Sequence, residues 1–67
     1  MKYSYTLRSF DLNIDHYGNE TLDLVGCNGR DEIHILIYDT KGSEMYADLI
    51  EGRDGVYERI NKMFARI

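Results

Sequence analysis

The chain contains no proline and only one cysteine, Cys27, among its 67 residues. One cysteine excludes an internal disulfide, and with only His16 and His34 as further nitrogen ligands the composition argues against a structural zinc site. No apolar run reaches the roughly 18 residues of a membrane span, and the first ten residues alternate polar with apolar side chains. We therefore expect neither a transmembrane helix nor a signal peptide, and the lone thiol favours a reducing, cytoplasmic compartment.

Positive charge is also scarce. Twelve Asp and Glu residues face eight Lys and Arg residues, which gives a formal net charge of −4. This balance disfavours direct binding to nucleic acid, because contacts with phosphate need positive charge. With 43% hydrophobic and 30% charged residues the composition is that of a globular domain, and its length allows a single domain over residues 1–67.

Alternating apolar and polar residues predict β-strands in four parts of the chain. In the first of them the alternation shifts by one position at Arg8 and Ser9, which predicts a β-bulge. The strand segments are residues 3–14, 20–25, 32–38 and 44–50, and turn-like residues separate them at 17–19, 28–29 and 40–42.

Hairpin loops of these lengths place apolar residues opposite one another in every pair of neighbouring strands. The predicted pairs include Leu12 with Leu24, Leu24 with Ile33, and Ile35 with Ala47. After Gly52 the apolar spacing becomes helical, at Val56, Ile60, Met63, Phe64 and Ile67.

The sequence thus predicts an α+β fold, a four-stranded antiparallel β-meander with one C-terminal helix packed on one face. An alternative makes residues 43–51 a first helix, since this segment contains good helix formers. The agreement of the three predicted hairpins on one buried face favours the four-stranded arrangement.

The predicted register leaves the other face of the sheet uncovered, with six carboxylates among fourteen side chains and no Lys or Arg. An apolar and aromatic centre within a polar rim is a common form of protein-binding site. The simpler interpretation is a solvated face whose acids provide solubility, but Leu36 and Ile50 are apolar where such a face would carry polar residues. The residues expected to bind a partner are Asp11, Asp23, Glu32, His34, Leu36, Tyr38, Glu44, Tyr46, Asp48 and Ile50.

No complete catalytic motif, nucleotide-binding loop or metal signature occurs, so we expect a protein that is not an enzyme and needs no cofactor. The one candidate for acid–base chemistry is His34, which the predicted register places between Asp23 and Asp48. Two flanking carboxylates would raise the pKa of the imidazole. We interpret this group as a charge cluster on an exposed sheet.

An array of carboxylates on a flat sheet can occupy a basic nucleic-acid channel in place of phosphates. The sequence therefore favours a small acidic protein that inhibits or regulates a nucleic-acid-binding protein complex by mimicking nucleic acid, and that binds neither nucleic acid nor membrane itself. In size and charge the chain is similar to the small acidic inhibitors that phages encode against bacterial defence systems, anti-CRISPR proteins among them. That likeness implies the host cytoplasm. The alternative is a self-associating structural or regulatory module, a homodimer joined through a sheet edge or a helix.

Overall fold

The computed structural model describes residues 5–66, which form three strands and two helices. The strands make one antiparallel sheet in the order β1-β2-β3, and both helices pack against one face of it. Residues 1–4 at the start of the predicted first strand, and Ile67 in the predicted helix, lie outside the described residues. The elements are β1 (Thr6–Ile14), β2 (Glu20–Cys27), β3 (Glu32–Tyr38), α1 (Asp39–Glu51) and α2 (Val56–Ala65).

The predicted fourth strand is wrong, because residues 44–50 belong to α1. Met45, Ala47 and Leu49 fit a period of two, but Met45 and Leu49 also lie four residues apart on one side of a helix. In the structure these two are buried and Ala47 is exposed, which is the helical pattern. The alternative of a helix in this segment is the correct one, and the fold has two helices rather than one.

Gly42 was predicted to lie in a turn, but its role is packing. It lies buried inside α1, where the helix crosses the sheet. A Cβ atom at Gly42 would overlap the carbonyl oxygen of Ile37 and lie 3.2 Å from the backbone nitrogen of Leu22. The chain passes from β3 into α1 without a loop, and this close approach of helix and strand requires a residue without a side chain.

The three strands are predicted correctly in kind, including the bulge. The register between β1 and β2 shifts between Leu7 and Ser9, as the change in alternation indicates. The predicted cross-strand partners are two positions off, since Leu24 pairs with Phe10 and Ile35 rather than with Leu12 and Ile33. A shift of two residues keeps every side chain on its face of the sheet, so the predicted buried face is retained.

Longer hairpin loops cause this shift. In the β1–β2 loop, the carboxylate of Asp15 accepts hydrogen bonds from the backbone nitrogens of Tyr17 and Asn19, both at 2.9 Å. In the β2–β3 loop, the side-chain oxygen of Asn28 accepts from the backbone nitrogens of Arg30 and Asp31, at 3.1 and 2.8 Å. These hydrogen bonds stabilise loops that are longer than the tight two- and three-residue turns predicted from the sequence.

The core lies between the sheet and the helices. The helical stripe predicted for the C-terminal segment is confirmed in α2, whose buried residues Val56, Ile60 and Phe64 are spaced by four. Full burial of each such side chain stabilises the fold by roughly 1.5–3 kcal/mol. Within residues 5–66, no helix is long and apolar enough to cross a bilayer. The buried cluster consists of Leu22, Leu24, Met45, Leu49, Val56, Ile60 and Phe64.

Candidate partner-binding face

The sheet face opposite the two helices is not covered by any element formed by residues 5–66, and we refer to it as the open face. Its membership follows from the observed register, because residues paired across strands point to the same side. The open face consists of Thr6, Arg8, Ser9, Asp11 and Asn13 from β1, Thr21, Asp23, Val25 and Cys27 from β2, and Glu32, His34, Leu36 and Tyr38 from β3.

Part of the predicted binding set lies on this face. The members that the structure brings together there are Asp11, Asp23, Glu32, His34, Leu36 and Tyr38. The remaining members, Glu44, Tyr46, Asp48 and Ile50, were assigned to the open face through the predicted fourth strand. They belong to α1, on the opposite side of the sheet, so that assignment is corrected.

The four residues in α1 have surroundings of their own. Tyr46 is half-buried, and its ring packs edge-on against Phe10, with the ring centroids 5.9 Å apart. The carboxylate of Asp48 lies 3.7 Å from the guanidinium of Arg53 and 3.8 Å from that of Arg59. Glu44 and Ile50 are exposed on the helix surface. Tyr46 therefore contributes to packing, and Asp48 to a charge cluster between the helices.

A chain of charged groups crosses one end of the open face. The guanidinium of Arg8 pairs with one carboxylate oxygen of Glu32, and the other oxygen lies 3.6 Å from Nε2 of His34. On its other side, Nδ1 of His34 lies 2.9 Å from Oδ1 of Asp23. Sequence reasoning missed Arg8, because strict alternation placed no cation on this face. The bulge at Arg8 was the available signal, since an extra residue in a strand redirects its side chain.

His34 is half-exposed, and its neighbours are Asp23 and Glu32 rather than Asp23 and Asp48. The pKa of His34 is raised above the ordinary histidine value of 6.5, chiefly because the carboxylate of Asp23 accepts a hydrogen bond from the ring. The pair therefore stabilises the folded state fully below pH 6.5, and this contribution is lost as the pH rises through the folded-state pKa.

This assignment predicts the titration of His34 in the folded protein. The midpoint of its ring chemical shifts, followed by NMR, is expected above 6.5 in the wild type and closer to 6.5 in Asp23→Asn. Asp11→Asn is the matched control, because it removes a carboxylate from the same face that is not bonded to His34. A wild-type midpoint at or below 6.5, or equal effects of the two substitutions, would contradict the assigned hydrogen bond.

The middle of the open face combines acids with exposed apolar groups. Asp11 pairs directly with Asp23, and Asp23 pairs with Leu36 on its other side. Leu36 is 47% exposed, and Tyr38, two positions further along β3, is 59% exposed. Like charges directly opposite each other destabilise a sheet, so the pairing of Asp11 with Asp23 is not explained by stability.

The three residues considered for acid–base chemistry are not brought together, because Asp48 lies in α1 while Asp23 and His34 lie on the open face. Across residues 5–66, no group of three or more His, Cys, Asp or Glu side chains is arranged to hold a metal ion. The molecule is thus defined as a small α+β domain with a three-stranded antiparallel sheet covered on one face by two helices. The chain matches no model of a known protein family, no curated protein and no solved structure.

Proposed function

We propose that this chain is a non-enzymatic binding protein whose open face binds a basic surface of a nucleic-acid-binding protein complex and thereby inhibits or regulates it. The observation that supports this most directly is the pairing of Asp11 with Asp23 beside the exposed Leu36 and Tyr38. Asp11 offers a negative charge to a basic groove, and Asp23 adds a second once His34 has lost its proton, so the two carboxylates can take the place of two phosphates. A leucine and a tyrosine beside them offer the apolar contact that binding sites commonly concentrate at their centre.

The charges of the open face are not equally available to a partner. Glu32 forms an exposed ion pair with Arg8, whereas no cationic side chain faces Asp11 in the described part of the chain. Asp23 is paired with His34, which loses its positive charge as the pH rises. The uncompensated negative charge thus lies on Asp11 in β1, directly opposite Asp23, and we place the contact with the basic partner there.

The proposed setting follows from the proposed partner. Complexes that handle nucleic acid in bacteria lie in the cytoplasm, and for a phage-encoded inhibitor this is the cytoplasm of the host. The single thiol, Cys27, is half-buried at the end of β2 and suits a reducing compartment. The chain itself, with its net charge of −4, is expected to bind neither nucleic acid nor membrane.

A pull-down from a bacterial lysate tests the proposal with two matched double variants. Asp11→Lys with Tyr38→Ala changes the open face, and Glu51→Lys with Tyr57→Ala makes equivalent chemical changes on exposed residues of the helices. We expect the wild type and the helix variant to capture a basic nucleic-acid-binding complex. The open-face variant should bind it at least about tenfold more weakly, since hot-spot residues each contribute on the order of 2 kcal/mol.

The captured complex then allows a direct test of inhibition. Adding the purified wild-type chain should displace nucleic acid from the complex, and raising the salt concentration should weaken binding of the chain. Circular dichroism of both variants checks that they remain folded. The proposal is wrong if the open-face variant binds as tightly as the helix variant, or if nucleic acid and the chain bind the complex at the same time without competition.

A further inference from the structure

β3 is an edge strand with an unusually apolar sequence. It forms one side of the sheet, and within the described part of the chain no strand lies beyond it. Its residues Ile33, Ile35 and Ile37 are only half-buried, and Leu36 and Tyr38 are exposed. The backbone groups on its outer side are therefore available to pair with another strand.

The two edges of the sheet differ in their protection. Proteins normally guard an edge strand with a bulge, a lysine, a proline or charged side chains. β1 carries the bulge at Arg8 and exposes Ser9, Asp11 and Asn13. β3 has no bulge in its pairing with β2 and no lysine or proline, and its Glu32 and His34 lie on the open face in ion pairs with neighbouring side chains. β3 is therefore the less protected of the two edges, and an apolar edge of this kind is either an aggregation hazard or a pairing surface.

A groove on the helix side of the sheet opens beside this edge. Its volume is about 510 Å³, and its apolar lining comes from Ile37, Met45 and Met63. The helices therefore leave part of the inner side of β3 uncovered. The charged groups around the groove are two cations and two carboxylates, which sum to zero: Lys41, Arg59, Glu44 and Asp48.

We propose that β3 pairs antiparallel with β3 of a second copy of this chain. The two-fold axis of this dimer passes between the two Ile35 residues, and we call this register the axis through Ile35. This register pairs all seven residues of the strand and produces a six-stranded sheet with the helices of both copies on one side. On the inner side Ile35 faces its equivalent, and Ile33 faces the second copy's Ile37. On the open face Glu32 lies opposite the second copy's Tyr38, and His34 lies opposite its Leu36.

Neighbouring registers are poorer. An axis displaced by half a residue would place the isoleucines opposite side chains of the open face, which alternation forbids. An axis through His34 or Leu36 leaves two residues of the seven-residue strand unpaired. Within the seven-residue strand the axis through Ile35 also brings no like charges directly opposite one another, because Glu32 faces a tyrosine.

Charge favours a second copy at this edge although the chain as a whole is acidic. The net charge of −4 opposes association in general, and Asp11 and Asp23 oppose contact between two open faces. At the β3 edge Glu32 is paired with Arg8, and the charges around the groove cancel. These groups therefore add no net repulsion to the approach of a second copy. Pairing would also cover the half-buried isoleucines, which helps a domain whose core is small.

Analytical ultracentrifugation of the purified chain alone tests the pairing with two substitutions at one residue. Tyr38 faces Glu32 of the second copy twice in the symmetric dimer, so Tyr38→Glu adds two repulsions and Tyr38→Lys adds two attractions. Both substitutions remove the same exposed ring. We expect a wild-type dimer at micromolar concentration, and we expect the dimer of Tyr38→Glu to dissociate at least about tenfold more readily than that of Tyr38→Lys.

A disulfide measurement tests the axis directly and does not depend on Tyr38. In a Cys27→Ser background, Ile35→Cys should form a covalent dimer on mild oxidation, because directly opposed residues have Cα atoms about 4.5–5.5 Å apart. Ile33→Cys is the matched control. After the same oxidation it should run as a monomer on a non-reducing denaturing gel, since its equivalent lies far along the strand.

The outcomes separate cleanly. A wild type that is monomeric from micromolar to millimolar concentration overturns the inference, and so does a dimer that responds equally to both Tyr38 substitutions or cross-links equally at both cysteine positions. Growing oligomers without a defined end would also overturn it, because a two-fold pairing closes after two copies. No partner protein is present in these experiments, so their result is independent of the proposed inhibition.

Discussion

Replacing Gly42 with alanine is expected to unfold a large fraction of the protein, although alanine normally stabilises a helix interior by about 1 kcal/mol relative to glycine. The reason is the contact between α1 and the sheet. A Cβ atom at this position would overlap the carbonyl oxygen of Ile37 and press on the backbone nitrogen of Leu22, 3.2 Å away. Both are backbone atoms of strands, so neither can move aside as a flexible side chain would.

The magnitude follows from the size of the domain. Overpacking typically costs about 1–3 kcal/mol, and contact with backbone places Gly42→Ala at the upper end or beyond. A single small core seldom supplies more than roughly 3–5 kcal/mol of net stability. We therefore expect the urea midpoint of unfolding, followed by circular dichroism, to fall close to zero denaturant in this variant.

Gly29→Ala is the control for this experiment. Gly29 has a φ of +93°, and a Cβ atom there would contact none of the residues that the structure describes. The only cost of alanine at this position is therefore the backbone strain of a positive φ. That strain costs about 1–2 kcal/mol and should lower the midpoint less than Gly42→Ala does. If the Gly42→Ala protein is as stable as the wild type, or more stable, then the backbone of α1 does not lie as close to the backbone of the sheet as the structure places it.

Gly26→Ala is expected to destabilise the protein strongly, and Phe64→Leu is expected to relieve part of that loss. Gly26 lies in the central strand beneath the ring of Phe64, which is fully buried. A Cβ atom at Gly26 would lie 2.5 Å from Cε1 and 2.7 Å from Cζ of that ring. Because the ring is confined by the core, we expect Gly26→Ala to cost roughly 3 kcal/mol.

A double-mutant cycle measures the contact. Leucine lacks the outer ring atoms that a Cβ at Gly26 would strike, so the double variant should be more stable than the sum of the two single losses predicts, by at least about 1 kcal/mol. Phe64→Leu combined with Gly29→Ala provides the comparison pair, and those two changes should be additive. Additive losses for Gly26→Ala and Phe64→Leu would mean that the ring does not lie over Gly26.

Much of the sheet could be predicted from local pattern. Alternation identified the three strands and their buried face, and the change of phase at Arg8 located the bulge. The spacing of Val56, Ile60 and Phe64 identified α2. These features depend on which side of one element faces the core, and a sequence records that directly.

The same kind of pattern failed for α1, because a short apolar segment can satisfy two periods. Met45, Ala47 and Leu49 suit a strand, whereas Met45 and Leu49 alone suit a helix, and only the exposure of Ala47 distinguishes the two. Gly42 added to the error, since glycine serves turns and close packing alike. The loop lengths were also underestimated, because the hydrogen bonds made by Asp15 and Asn28 stabilise longer turns.

The prediction of the candidate site was right and wrong in the same elements as the prediction of the fold. The members on β1, β2 and β3 lie on one face as predicted, because alternation within a strand is a local property. The acids assigned to the fourth strand, Glu44 and Asp48, belong to α1, and Arg8 joined the face because a bulge redirected it. The open face therefore carries fewer carboxylates than predicted, and the two that lie directly opposite each other are Asp11 and Asp23.

The acidic balance of this protein, its three strands with their inner and outer faces, and its C-terminal helix could all be read from the amino-acid sequence. Composition and the period of apolar residues within single elements set these features. The course of residues 39–51 across the sheet as a helix, the position of β3 at an edge, and the pairing of Arg8 with Glu32 became visible in the folded molecule alone. Each of them depends on contacts between elements that are distant in sequence, as the close approach of Gly42 in α1 to the backbone of Leu22 in β2 illustrates.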